Sequence, residues 1–451
     1  MKKEAVSLTE GPIARGLIAF AFPIFLSNLF QQLYNSIDAA VVGSFAGDEA
    51  LAAVGSTGSL INLLIGLFLG LATGAGILYS MHYGAGDWQG LKKIIDGAMF
   101  LSAATGAAIS VLGFIFSRPM LVWVATPDNV LDLSVSYLRI YLAGTVITMI
   151  YNVGAGLLRA EGDSRRPLLY LVAGGLTNLV LDLLFVAVFD MGVTGAALAT
   201  VLAQLVSAVL VVRRLMRLDE RYRFRPLHLK LDGLTLWDLT RISVPCGLQS
   251  SMFNIANLLV QADINSFGSV AMAGCAAYSK IDGFIYMPTS ALSLALSTYV
   301  GQNIGAGKYS RIGKGIRTAL LAALAMVVLT AGCVLLFCRQ LIGLFTTDAD
   351  AQAFAIKEMW FLAPFAWTFV FSDIFGGAIR GAGDAMKVTI VSASCICVFR
   401  VVWLVAMLHF FRDIRVVFVC YPLSWILSSI AMTLLYLCGN GMRKTMKKSA
   451  V

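Results

Sequence analysis

Five polar side chains interrupt stretches of this sequence that are otherwise apolar. Asp38 lies seven residues before the end of an apolar run that closes at Phe45, roughly 10 Å along a helix at 1.5 Å per residue. Asp182 lies a similar distance below the outer end of a later run, and Asn178 precedes it by four residues. That spacing places both on one helix face, where their oxygens could share a bound cation. Thr200 and Tyr137 each stand about seven residues into their own runs, so five side chains on four helices reach one depth at 1.5 Å per residue. Carboxylate and carbonyl oxygens suit hard cations, and two close carboxylates favour proton uptake. An ionised Asp at the centre of a membrane helix costs about 2.5–3.5 kcal/mol, which makes such residues functional candidates by default. Asp38, Tyr137, Asn178, Asp182 and Thr200 therefore form a candidate site for a coupling ion, H+ or Na+. Asp38, Asn178, Asp182 and Thr200 would be the ligands if the ion is sodium. The alternative is that Asn178 and Thr200 tie helices together and that Asp38 faces an aqueous cleft.

The second half carries Gln261, Asp263, Lys280, Asp282, Asp373 and Arg400 within its own apolar runs. The depth of Lys280 predicts an acidic partner, because an unpaired ammonium there is costly. Asp263, near a helix end, reads as solvated. Structural ion pairs and substrate contacts are both open for this set. Residues that could line a cleft for flat hydrophobic cations are Gln32, Tyr34, Asn35, Met252, Phe253, Asn257, Lys280, Asp282 and Tyr286, the aromatic ones through cation–π contact. Packing or lipid contact is the alternative for each. Pro23, Pro245 and Pro288 fall inside predicted helices, where each removes a backbone hydrogen bond and permits either a fixed kink or a bend.

Other chemistry is poorly supplied. The three histidines, His82, His228 and His409, stand in or beside loops without a metal-ligand partner, and no phosphate-binding loop occurs. The reading is a protein that is not an enzyme, has no cofactor and does not draw on ATP. All eight cysteines lie in the second half and only Cys395 and Cys397 are close, two apart and on different helix faces. They read as packing residues.

The elements that must position these groups follow from composition. Of 451 residues 59% are hydrophobic and 13% charged, against about 25% charged in soluble domains. Apolar runs of about 20 residues recur between short polar breaks, which is the pattern of an all-α integral membrane protein. The predicted spans are 16–45, 51–81, 93–117, 130–157, 167–189, 193–216, 238–267, 271–302, 312–338, 352–379, 387–410 and 415–438. The first run is too long for a signal-peptide core and reads as a retained helix.

Basic residues gather on one side of these spans: Lys2, Lys3, Arg15, Lys92, Lys93, Arg159, Arg165, Arg166, the stretch Arg213 to Arg241, Lys308 to Arg317, Arg380, Lys387 and a tail from Arg443 to Lys448. The other side holds Arg118, Arg339, Arg412 and Arg415. The positive-inside rule then places both termini in the cytoplasm of a multi-pass protein of the cell membrane. The net charge of +9 reflects topology, since it forms no patch for nucleic acid. Residues 1–216 form one predicted lobe, 217–237 a cytoplasmic connector and 238–451 a second lobe with a basic tail.

The halves repeat. Arg159-Ala160-Glu161-Gly162-Asp163 aligns with Arg380-Gly381-Ala382-Gly383-Asp384 at an offset of 221, and the same offset carries Gly84-Ala85-Gly86 onto Gly305-Ala306-Gly307. In the first helix of each half the offset is 222, matching Pro23 to Pro245 and Phe45 to Phe267. Six helices per half make the repeats parallel, an arrangement that can rock to alternate sides around a midplane site. Transport is the leading reading. An inherited duplication that serves only structure is the other, and a channel or receptor fits matched carboxylates less well.

Together Pro23, Gln31-Gln32-Leu33-Tyr34-Asn35, Asp38, Gly84-Ala85-Gly86, Arg159 with Gly162-Asp163, Asn178 to Asp182, Gly301-Gln302-Asn303-Ile304-Gly305-Ala306-Gly307 and Arg380 to Asp384 resemble the multidrug and toxic compound extrusion (MATE) family over about residues 10–440. The resemblance implies two six-helix lobes in a V shape, a monomer in membrane lipid, and export of small drug-like or cationic compounds by sodium or proton antiport. It implies a first-lobe cation site at Asp38, Asn178, Asp182 and Thr200 with Tyr137 nearby. Asn254 stands where the NorM-like branch has a carboxylate, which favours the DinF-like branch. A flippase for lipid-linked sugars from the same superfamily is the rival function.

Overall fold

In the computed structural model, residues 7–124 and 126–438 are described, and Lys2, Lys3 and the basic tail invoked for orientation lie outside them. The described chain is helical throughout. We number the principal helices α1 (Ile13–Ala46), α2 (Asp48–Ala85), α3 (Trp88–Trp123), α4 (Asp128–Ala143 with Thr145–Glu161), α5 (Arg165–Val188), α6 (Gly192–Met216), α7 (Gly233–Asn265), α8 (Ser269–Gly305), α9 (Tyr309–Leu336), α10 (Ala349–Gly381), α11 (Ala385–Phe410) and α12 (Ile414–Cys438). Nine of these are long and apolar enough to cross a bilayer, and the two segments of α4 pass together as a tenth span bent by 49°. The remaining two, α7 and α8, have the length but are more polar, with Gln249, Asn254, Asn257, Gln261 and Asp263 in one and Lys280 and Asp282 in the other. Polar residues retained in spanning helices mark sites in a membrane protein.

The chain forms two compact units: Leu26–Gly247, and Ser7–Phe25 together with the residues from Leu248 onward. In the second unit, Leu8, Thr9 and Gly11 are held through their carbonyls by Asn303 Nδ2 (3.1 Å), Lys308 Nζ (3.2 Å) and Arg311 Nη2 (3.0 Å).

Duplication is visible in the backbone. Gly47, Gly86 and Gly162 take positive φ at helix ends, and so do Gly268, Gly307 and Gly383, each 221 residues later. Only glycine enters that region without strain. Packing repeats too: a Cβ on Gly156 would lie 2.7 Å from the Ala72 carbonyl oxygen, and one on Gly377 2.6 Å from that of Ser293. Both pairs obey the same offset, so the α2–α4 crossing recurs as the α8–α10 crossing.

Four details depart from the spans predicted above. The helix expected over 130–157 breaks at Gly144, where the second segment tilts away. A short helix, Cys338–Gly343, follows α9, and a 3-10 turn at Ala363–Phe365 interrupts α10 at Pro364, because proline lacks the N–H that an α-helix needs there. The connector ends before residue 237, since Asp232 caps α7: its Oδ2 accepts from Thr235 Oγ1 (2.7 Å) and Thr235 N (3.1 Å). Those bonds, side chain first, hold the Asp232 carboxyl below the usual carboxylate range.

The connector is fixed to the first unit. Tyr222 stacks on Trp88 (5.5 Å between centroids) and donates to Glu161 Oε1 (3.2 Å). Fully buried Asp96 takes Lys92 Nζ at 2.6 Å and the Lys230 backbone N–H at 2.9 Å.

Candidate cation site

The first unit brings α1, α4, α5 and α6 together around two carboxyl groups. Asp182 is 1% exposed and is the last α-helical residue of α5 before a π-helical turn, Leu183–Val188. Single π turns inside helices are frequent at functional sites because they shift the register of side chains. Asp38, half-buried on α1, faces Asp182 closely enough to hydrogen-bond. As carboxylates, however, both groups only accept. Neither Asp182 oxygen nor Asp38 Oδ1 has a donor. Two buried acceptors in contact call for a proton or a cation between them.

The other predicted residues surround this pair. Asn178, 2% exposed, lies one turn before Asp182 and interacts with it, while its Nδ2 forms no hydrogen bond of full geometry. Tyr137 is buried and faces both carboxyl groups together with Tyr34. Thr200 Oγ1 donates to Ala196 O (3.0 Å) and its hydroxyl stands beside the Tyr34 phenol. Tyr34, expected in a substrate cleft, thus stands in the ring of polar groups around the carboxyl pair. Sequence reasoning missed Tyr141, which joins this ring; its spacing of four from Tyr137 was the available signal. It also missed Gln204, whose buried Oε1 has no partner. Gln204, Asn178, Tyr34, Ser207, Leu33 and Ile37 line a cavity of about 170 Å³ between α1, α5 and α6.

The donors available to an ion are hard oxygens: two carboxyl groups, the Asn178 amide and the Thr200 hydroxyl. This set suits a proton or a small alkali cation. Among the described residues no group of three or more His, Cys, Asp or Glu side chains is placed to hold a metal ion.

In the second unit the predicted residues divide. Asn257, Asp282, Tyr286 and Arg400 form one cluster, in which Arg400 Nη1 donates to Asn257 Oδ1 (3.3 Å) and Tyr278 OH to Asp282 Oδ1 (2.7 Å). Asp373 pairs with Arg380 at 3.6 Å. Lys280 corrects the expectation of an acidic partner: it is exposed, with no carboxylate at salt-bridge distance among the described residues, because it points away from the face carrying Tyr278 and Asp282. Asp263 is half-buried where a solvated residue was expected. In the first unit Asn35 is exposed and accepts from Gln31 Nε2 (3.2 Å), and Gln32 is half-buried, as are Met252 and Phe253 in the second. Glu358, 3% exposed on α10, was not anticipated. The rule that selected Asp38, a carboxylate inside an apolar run, applies equally to it.

With the fold and this site in hand, comparison with known proteins is decisive. The sequence profile of the MatE family matches residues 23–184 and 245–405, both halves of the repeat. The chain belongs to the MatE family. Its relatives include the "Probable multidrug resistance protein YpnP" of Bacillus subtilis (strain 168), 26% identical over 401 residues and covering 88% of this chain and 89% of that one. Another is the "Probable multidrug resistance protein YoeA" of the same organism, 26% identical over 433 residues, with 94% and 92% covered. Among solved structures, one of MATE in the bent conformation has a TM-score of 0.92 at 23% identity, covering 100% of both chains. This MatE protein therefore shares the all-helical MATE fold and is a multi-pass membrane protein of a transporter family.

Proposed function

We propose that this MatE protein is a secondary multidrug antiporter that exports hydrophobic, often cationic, compounds in exchange for protons or sodium. The observation that carries the reading is the contact between Asp38 and Asp182, in which neither Asp182 oxygen nor Asp38 Oδ1 has a donor. An ion entering from outside satisfies both carboxyl groups and draws α1 toward α5, and its release leaves two like charges that push them apart. Pro23 in α1 lacks the hydrogen bond that would stiffen the helix against this movement. The ring formed by Tyr34, Tyr137, Asn178 and Thr200 orients the ion, and the adjoining cavity gives an apolar compound access to the same helices.

Both termini face the cytoplasm of the cell membrane in this reading, on the strength of the basic residues gathered on one side of the spans. The protein acts as a monomer, and Asn254 in α7 groups it with the DinF-like branch. The multidrug names of its relatives support export of drugs over flipping of lipid-linked sugars. The test is drug susceptibility of cells that carry Asp38→Asn or Asp182→Asn. Susceptibility equal to that of cells lacking the protein, with unchanged membrane abundance, is the expected result; unaltered resistance would remove the pair from the mechanism.

A further inference from the structure

The second unit holds charge that the coupling site proposed above does not use. Glu358 on α10 is 3% exposed and its Oε2 has no hydrogen-bond partner. α8 meets α10 here because residue 274 is glycine: a Cβ there would stand 2.6 Å from the Phe354 ring. The Cys275 thiol consequently lies against Glu358. Asp282, two turns along α8, accepts from Tyr278 OH at 2.7 Å and feels the charge of both Glu358 and Arg400. Arg400, buried on α11, donates Nε to Ser424 Oγ (2.9 Å) and Nη1 to Asn257 Oδ1 (3.3 Å), and lies 4.4 Å above the Tyr421 ring. The phenols of Tyr286 and Tyr421 and the thiol of Cys420 complete the titratable surroundings. Val260, Leu404, Val417 and Phe418 supply the apolar packing.

Glu358 and Asp282 thus stand close enough to feel each other's charge, with Arg400 near Asp282. One negative charge is left over, and burying it unpaired costs several kcal/mol. Glu358 Oε2 has no hydrogen-bond partner, and a proton bound there neutralises the charge without further ligands. Register adds an independent argument. Glu358 and Tyr421 stand 221 residues after Tyr137 and Thr200, and Asn257 stands 222 after Asn35, the repeat offsets of their respective helices. Glu358 and Tyr421 thus stand at the repeat positions of two residues of the candidate cation site, Tyr137 and Thr200, while the positions of Asp38 and Asp182 are taken by Val260 and Trp403.

The geometry points to a second proton-binding site, centred on Glu358, in which Arg400 offsets the charge of Asp282 and Glu358 gains or releases one proton at Oε2. Protonation converts the carboxylate to a carboxyl group and takes the cluster from a net charge of −1 to zero. The site stands apart from Asp38 and Asp182 and holds whether or not those residues couple transport.

Isotope-edited infrared spectroscopy of the full-length protein in lipid tests this directly. Carbon-13 labelling of glutamate carboxyl groups marks only six residues, Glu4, Glu10, Glu49, Glu161, Glu220 and Glu358, and leaves the aspartates unlabelled. In an Asp38→Asn/Asp182→Asn background a pH change is expected to produce a labelled carboxyl C=O band. The band should persist in Glu161→Gln and vanish in Glu358→Gln. Glu358→Asp, which retains an acid should the glutamine variant fail to assemble, should also remove it from the labelled set. A labelled band that survives both Glu358 variants, or no pH-responsive labelled band at all, would overturn the proposal.

Discussion

Replacing Asp182 by Asn removes one of two charges that meet without a donor between them. At a separation of about 4 Å and an effective dielectric of about 20, two unit charges repel by about 4 kcal/mol. A bound proton or sodium ion cancels that repulsion, so the unsubstituted protein should be stabilised by its coupling ion. At an ion concentration of about 100 times Kd the gain is about 2.7 kcal/mol. Asp182→Asn keeps the side-chain volume and relieves the repulsion permanently. The variant should therefore melt higher than the parent when the coupling ion is absent, and should lose most of the ion-dependent rise. Thermal unfolding of purified protein, monitored across a sodium titration at constant pH and a pH titration without sodium, separates the two ions. An Asp182→Asn protein whose melting temperature follows the ion as steeply as the parent would refute the reasoning. So would a parent that responds to neither ion.

Three further outcomes follow from the packing and hydrogen bonds. Gly156→Ala and Gly377→Ala force a Cβ against the carbonyl oxygens of Ala72 and Ser293 at 2.7 and 2.6 Å, so each should lower stability by about 1–3 kcal/mol, measured by thermal unfolding in detergent. Asp96→Ala strands the ammonium of Lys92 and the Lys230 N–H. A loss of about 3–5 kcal/mol is expected, with faster proteolysis of the connector around Tyr222 as the companion readout. Tyr34→Phe removes the phenol hydroxyl that stands beside Thr200, and a polar contact of this kind contributes at most about 0.5–1.5 kcal/mol. Ion affinity in the same melting assay should fall by up to about tenfold while the protein remains folded.

Much of this was legible because the membrane restricts what a sequence can do. A run of apolar residues long enough to span must become a helix, since no other open structure satisfies its backbone in lipid. A carboxylate in such a run then stands out, and counting residues from the helix end gives its depth. Asp38, Tyr137, Asn178, Asp182 and Thr200 were chosen in this way, and the structure brings all five together. Rotation about each helix axis was not legible, which is why Lys280 was assigned an acidic partner that it lacks among the described residues. Glu358 is a carboxylate inside an apolar run and met the same rule, but its neighbours Cys275 and Asp282 on α8 are far away in sequence. Breaks at Gly144 and Pro364 depend on how neighbouring helices pack, and hydropathy does not record that.

The central claim is that an ion gradient acting on Asp38 and Asp182 drives export. Its most direct test is efflux of a fluorescent cationic dye from proteoliposomes sorted for orientation, under an imposed sodium or proton gradient, with the native chain beside Asp38→Asn. Dye movement driven by one gradient in the native protein and absent in the variant is the predicted result. Equal gradient-driven movement in both, or none in the native protein although it is correctly folded, would contradict the account.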